Sequence, residues 1–99
     1  MMQTQVIIEF ARRSPLEEEA LDNLADACLD ALNRHGRFLA YGPVVSVDYS
    51  RSALEVECTV STSDQHEVDG IIQRIGEIVH GALAAAEYET SSERIPIPA

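Results

Sequence analysis

The chain has 99 residues, 45% hydrophobic and 24% charged, a composition typical of a folded globular domain rather than a disordered one. Its formal net charge is −10, because 17 acidic residues stand against 7 basic ones, all of them arginines. This charge disfavours nucleic acids and anionic membrane surfaces as partners, and the lack of lysine excludes Schiff-base chemistry. We therefore expect one domain over residues 1–99 that binds neither nucleic acid nor membrane.

The first two elements are a strand and a helix. Residues 3–10 alternate polar and apolar side chains, which predicts a half-buried strand. Ser14, Pro15 and Glu17 then form a pattern typical of a helix start, in which a hydroxyl cap is followed three residues later by a glutamate. Apolar residues continue at helical spacing until Gly36, a residue that commonly ends helices in the left-handed conformation.

A hairpin follows the first helix. Residues 44–49 and 54–60 both alternate polar and apolar side chains, with a short polar segment between them. Folding this segment tightly places Val47 opposite Val56 on the shared apolar face, so this is the register that we expect.

A second helix and a weak final strand complete the pattern. Asp64 and Glu67 form another capping pattern, and apolar residues recur at helical spacing from Val68 onward. The helical signal fades near residue 87. Residues 88–97 contain Pro96, which restricts this segment to an edge strand or an extended tail.

The order β-α-β-β-α-β resembles the ferredoxin-like split βαβ fold. The resemblance spans nearly the whole chain and rests on element order, with no sequence motif behind it. It implies an α+β sandwich in which two helices cover one face of a four-stranded antiparallel sheet, with the last strand at an edge. Because this fold hosts many unrelated activities, it implies no particular function.

The cysteines and the carboxylates give no signal for a cofactor. Cys28 and Cys58 fall on apolar faces, so we interpret them as buried thiols rather than as redox or metal-binding groups. The carboxylates expected on the uncovered sheet face diverge too far to coordinate one hard cation, and we interpret them as a solvated acidic face. We expect no cofactor and no metal. Without a signal-peptide core or a long apolar run, we expect a cytoplasmic protein.

Arg12, Arg13 and Ser14 precede the first helix, where backbone amides can bind an anion. Acylphosphatase-like enzymes of the ferredoxin-like fold use an arginine in the equivalent first loop, although their glycine-rich phosphate-binding loop is not seen in this sequence. The alternative is that the arginines pair with the glutamates at 17–19 at the surface, a weak interaction.

Two regions indicate self-association. Gly70, Gly81 and Ala84 lie opposite the apolar stripe of the second helix. An outward-facing glycine costs a helix roughly 1 kcal/mol relative to alanine, so the presence of glycine at these positions requires an explanation. Close approach of a partner is one such reason, and compositional drift of the genome is another.

The other region includes Leu29, which lies off the core face of the first helix, and the loop that carries Phe38, Leu39 and Tyr41. We favour the interpretation that this loop covers the open end of the core, but it is also the best candidate for a partner-binding segment. Our first hypothesis is a small acidic, non-catalytic module that forms a homodimer or binds a protein partner or small effector. The alternative is a small enzyme or anion-binding protein that uses the Arg12–Ser14 loop.

Overall fold

The computed structural model describes residues 3–12, 17–36, 41–62, 64–83 and 88–97. Four strands and two helices follow in chain order: β1 (Gln3–Arg12), α1 (Glu18–Arg34), β2 (Val44–Asp48), β3 (Ala53–Val60), α2 (Gln65–Leu83) and β4 (Tyr88–Ile97). The strands form one antiparallel sheet in the order β2-β3-β1-β4. The predicted ferredoxin-like sandwich is therefore confirmed.

The alternation of side chains along β1 determines which face of the sheet the helices cover. Val6, Ile8 and Phe10 are fully buried, while the residues between them are partly exposed. Each large apolar side chain buried in this way contributes about 1.5–3 kcal/mol. The core cluster contains Val6, Ile8, Phe10, Cys28, Leu32, Leu54, Val56, Cys58, Val60, Val68, Ile75, Val79 and Leu83.

The strand β4 pairs with β1 along its whole length, from Arg12 opposite Tyr88 to Gln3 opposite Ile97. It forms one edge of the sheet, as predicted, and β2 forms the other. An edge strand tolerates Pro96 because one side of the strand has no neighbour that needs its amide.

The register of the hairpin differs from the prediction by two residues. Val47 lies opposite Leu54 rather than Val56. The reason is that the turn at residues 49–52 is centred between Ser50 and Arg51, one residue earlier than the predicted centre between Arg51 and Ser52. The carboxylate of Asp48 stabilises this turn by accepting hydrogen bonds from the amide and hydroxyl of Ser50, at 3.1 and 2.7 Å. Because the shift is an even number of residues, the apolar face stays the same.

One predicted helix start is confirmed and the other is wrong. Asp64 precedes α2, and its carboxylate accepts a hydrogen bond from the amide of His66 at 2.9 Å, as a helix cap does. In contrast, Glu17 has an extended backbone and makes no side-chain capping hydrogen bond. The helix α1 therefore begins at Glu18, three residues after the predicted first helical residue. The predicted cap Ser14 and first helical residue Pro15 lie outside the described residues.

The predicted position of Gly36, just after the cap residue of α1, is confirmed, but the left-handed conformation expected there is wrong. The helix ends at Arg34, and the amide of His35 donates a hydrogen bond to the carbonyl of Leu32 at 3.1 Å. Gly36 does not have a positive φ, so it does not supply the left-handed cap. Among the described glycines, the left-handed conformation occurs at Gly42, with φ of 59°, just before β2.

Both cysteines are free thiols in the core, Cys28 in α1 and Cys58 in β3. Burial raises the pKa of each thiol from 9.0 to about 11, because the thiolate loses its hydration inside the protein. Their contribution to stability is fully present below about pH 9 and is lost as the pH rises toward 11, because only the unfolded chain then ionises freely.

We therefore expect the free energy of unfolding to fall by about 2 kcal/mol per thiol between about pH 8 and pH 10.5. Urea denaturation at the two pH values measures this loss. The double variant Cys28→Ala/Cys58→Ala is the control, and it should lose less stability over the same range. An equal loss in both proteins would show that other groups cause the alkaline sensitivity.

Candidate interaction site

A cleft lies between the flanks of α1 and α2. Its volume is about 620 Å³, and its floor consists mainly of short side chains. Ala27 and Ala31 contribute from α1, and Ile78 and Ala82 from α2; all four are half-buried. Gly81 borders the cleft and is exposed. The small side chains leave the two helix flanks separated by open space.

The rim of this cleft carries charges of both signs. Asp30 and Arg34 lie one turn apart on α1, and Glu77 faces them from α2. All three are exposed, and none forms an ion pair with another described residue. His35 completes the lining at the end of α1. The cleft therefore combines an apolar floor with one guanidinium and two carboxylates on its rim.

The glycines of α2 are open to solvent on the side away from the core. Gly70 and Gly81 are both exposed and lie eleven residues apart, about three helical turns, so they share one face. A methyl group added at either position would meet no atom within 4 Å. Gly76 is half-buried and lies about 240° around the helix from Gly70. Ala84, the third small residue predicted for this face, lies outside the described residues.

The structure describes two of the four residues predicted for the loop site. Tyr41 is half-buried and packs against the core cluster, whereas Leu29 is half-buried and does not belong to that cluster. Phe38 and Leu39 lie outside the described residues. A partner-binding role for this segment stays a prediction.

Arg12 is half-buried at the end of β1, on the face that the helices cover, where it lies opposite Tyr88 of β4. The hydroxyl of Tyr88 is buried, and no described residue forms a hydrogen bond of good geometry with it. Burial raises the pKa of Tyr88, and the nearby Arg12 guanidinium partly lowers it again. Arg13 and Ser14, the other residues predicted for an anion site, lie outside the described residues.

The uncovered face of the sheet is acidic. In β1 and β3, Glu9 lies directly opposite Glu55, and Ser91 and Glu93 of β4 add exposed polar side chains to the same face. Arg51, from the hairpin turn, donates hydrogen bonds to both carboxylate oxygens of Glu9 at 2.7 and 2.8 Å. Gln5 donates a hydrogen bond to Glu57 on the same face. One arginine thus offsets part of a negative surface.

The hairpin turn is also linked to α1. The hydroxyl of Tyr49 donates a hydrogen bond to Asp22 at 2.5 Å. Acceptance by this carboxylate favours the protonated phenol, which raises the pKa of Tyr49. This contact positions α1 over the β2 end of the sheet.

Sequence reasoning missed the cleft and part of the sheet face. The cleft depends on which helix flanks face each other, and the spacing of Ala27 and Ala31 on one flank was the available signal. Glu93 and Ile95 belong to the open face because of the register of β4, which the pattern of that segment did not predict. Ile95 is 39% exposed there.

The described residues contain no group of three or more His, Cys, Asp or Glu side chains arranged to hold a metal ion. Neither of the two described helices combines the length and the apolar composition needed to cross a bilayer.

Comparison with known proteins supports the fold alone. No model of a known protein family matches the chain, and no curated protein sequence matches it. A de novo designed protein with a ferredoxin fold, LFR1 1, solved by solution NMR, is similar in structure with a TM-score of 0.57. The match covers 93% of this chain and 85% of the designed one, at 14% sequence identity.

The opposed carboxylates on the sheet give a testable consequence. We expect Glu55→Gln to raise the free energy of unfolding by about 0.2–1 kcal/mol, because like charges directly opposite each other destabilise a sheet. Chemical denaturation at low salt measures this gain. Glu93→Gln is the control, since Glu93 lies opposite Ile7 and the change in net charge is the same. Equal effects of the two variants would mean that only the net charge matters.

Proposed function

We propose that this chain is a small acidic interaction module without catalytic activity, which associates with a second copy of itself through the outward face of α2. The observation that carries the proposal is the pair of exposed glycines, Gly70 and Gly81, on one face of a 19-residue helix. Both positions lie far from the core contacts that α2 makes through Val68, Ile75 and Val79.

The energetic cost of these glycines supports a role between molecules. Each exposed glycine costs the helix about 0.5–1 kcal/mol relative to alanine. A methyl group at Gly70 or Gly81 would meet no described atom within 4 Å, so no contact with the described part of the chain requires a glycine there. A partner helix that packs closely against the backbone would offset the cost, because the distance between packed helices depends on the side chains at the contact.

The distribution of charge favours the helices over the open sheet as the contact between copies. Two sheet faces that meet would bring Glu9, Glu55 and Glu57 against the same carboxylates of another copy. Juxtaposed like charges cost several kcal/mol at an interface. The outward side of α2 instead mixes Arg74 with Glu77 around the glycines, so approach there is less repulsive.

Replacing the glycines tests this proposal. We expect Gly70→Ala/Gly81→Ala to raise the free energy of unfolding of the monomer by about 1–2 kcal/mol in total through helix propensity. The same methyl groups should hold a partner away and raise the dissociation constant for self-association at least about tenfold. Sedimentation equilibrium and chemical denaturation at a dilute concentration measure the two effects separately.

Gly76→Ala is the matched control, because it makes the same chemical change in the same helix on a different face. It should stabilise the helix without changing the dissociation constant. A wild-type chain that stays monomeric up to about 1 mM, or a double variant that associates as well as wild type, would contradict self-association through this face.

Anion binding near Arg12 is the second candidate function. It is favoured by the buried, unpartnered hydroxyl of Tyr88 beside the Arg12 side chain, since an anion there would accept hydrogen bonds from both groups. The adjacent residues Arg13 and Ser14 would add a further cation and a hydroxyl.

Inorganic phosphate is the probe for this site. We expect about 10 mM phosphate to raise the Tm of the wild-type chain relative to chloride at equal ionic strength, because a ligand bound to the folded state stabilises it. The shift should disappear in Arg12→Ala/Arg13→Ala. The matched control Arg51→Ala/Arg94→Ala changes the net charge equally, lies away from Arg12 and from the proposed contact between copies, and should keep the shift. Wild-type protein without a phosphate-specific shift would exclude this candidate.

A further inference from the structure

We propose that the cleft between α1 and α2 is the centre of a two-fold symmetric dimer, in which Arg34 of each copy pairs with Glu77 of the partner subunit. This inference rests on the proposed function, since it names the surface and the contacts by which two copies associate. The occupant of the cleft is a second copy of the chain, seated with its own cleft facing the first.

The shape of the cleft suits the close approach of another helix pair. Its volume of about 620 Å³ is open to solvent, and its floor is made of alanines and Ile78 rather than of long side chains. Gly81 lies at its border, so the backbone of α2 is accessible beside the cleft. Helices approach closely where the side chains at their contact are short.

Charge complementarity identifies the occupant as a second copy. The described surface carries mainly acidic residues in the first half of α1 and on the open sheet, whereas the outward side of α2 and the rim of the cleft carry both signs. The rim of the cleft holds Arg34 on one side and Glu77 on the other. A two-fold axis that runs along the cleft places Arg34 of each copy opposite Glu77 of the partner subunit, and this contact is made twice.

Arg34 and Glu77 form no ion pair with a described residue of their own chain, which also supports a contact between copies. Arg94 pairs with Asp69, and Arg51 pairs with Glu9. Arg34, like Arg74, makes no ion pair or hydrogen bond with any described residue. Because Arg34 is exposed at the rim of the cleft, its guanidinium is available to a carboxylate of a partner.

The cleft alone is too small for a stable interface, which removes about 800 Å² from each partner. The outward face of α2 extends the contact, because Gly70 lies about three turns from Gly81 along the same face. The cleft thus anchors one end of a longer helical contact, and the two glycines lie along it.

Charge reversal tests the pairing. In a symmetric dimer, Arg34→Glu places two carboxylates together twice, and so we expect the dissociation constant measured by sedimentation equilibrium to rise at least about tenfold at low salt. Glu77→Arg should act similarly by placing two cations together. The double variant Arg34→Glu/Glu77→Arg restores opposite charges across the axis and should return to within about threefold of the wild type.

Arg51→Glu is the control, because it changes the net charge as Arg34→Glu does but lies at the hairpin turn. If Arg34→Glu weakens association no more than this control, or if the folded double variant fails to recover, the cleft pairing is wrong. The proposed function would still hold in that case if the wild-type chain dimerises and Gly70→Ala/Gly81→Ala weakens the dimer. A wild-type monomer would overturn both.

Discussion

The alternation of side chains along β1 is the constraint on which the rest of the structure depends. This strand lies inside the sheet, with β3 on one side and β4 on the other, so its two faces set the two faces of the whole sheet. Val6, Ile8 and Phe10 are buried completely on one face. Because the period of a strand is two, a slip of one residue would exchange these side chains with charged and polar ones and remove the core.

The same constraint separates the surfaces of the molecule by charge. Once the apolar face of β1 is committed to the helices, Glu9 and its neighbours on β3 must face outward together. The acidic sheet is thus a by-product of core formation, and its repulsion is tolerated because the core contributes more than the carboxylates cost. The helices keep a mixed surface, where Arg34 and Glu77 lie across a cleft. The proposed association between copies therefore uses the helical side.

Much of the fold could be predicted because periodicity reports burial directly. The buried face of β1, the cap of α2 by Asp64 and the edge position of β4 all follow from short-range patterns. Features that depend on three-dimensional context were not predictable. The hairpin register was missed because the turn, supported by the hydrogen bonds of Asp48 to Ser50, is centred one residue earlier than predicted. Gly36 follows the end of α1 as predicted, but it does not adopt the left-handed conformation.

In the candidate site, too, features of a single helix could be predicted, whereas features that depend on two elements could not. The outward position of Gly70 and Gly81 follows from counting residues around a helix, which needs no partner element. The cleft needs the relative position of two helices, and no pattern in a single sequence specifies this position. The participation of Glu93 in the acidic face likewise depends on the pairing of β4 with β1.

The pairing of β1 with β4 also has a consequence for the order of folding during translation. The strand at residues 3–12 is synthesised before both of its neighbours in the sheet, residues 53–60 and 88–97. The helix α2, which contributes Val68, Ile75 and Val79 to the core, also follows it by more than 50 residues. The apolar side chains of β1 therefore depend on contacts that are distant along the chain, and such contacts form slowly because a long loop must close first.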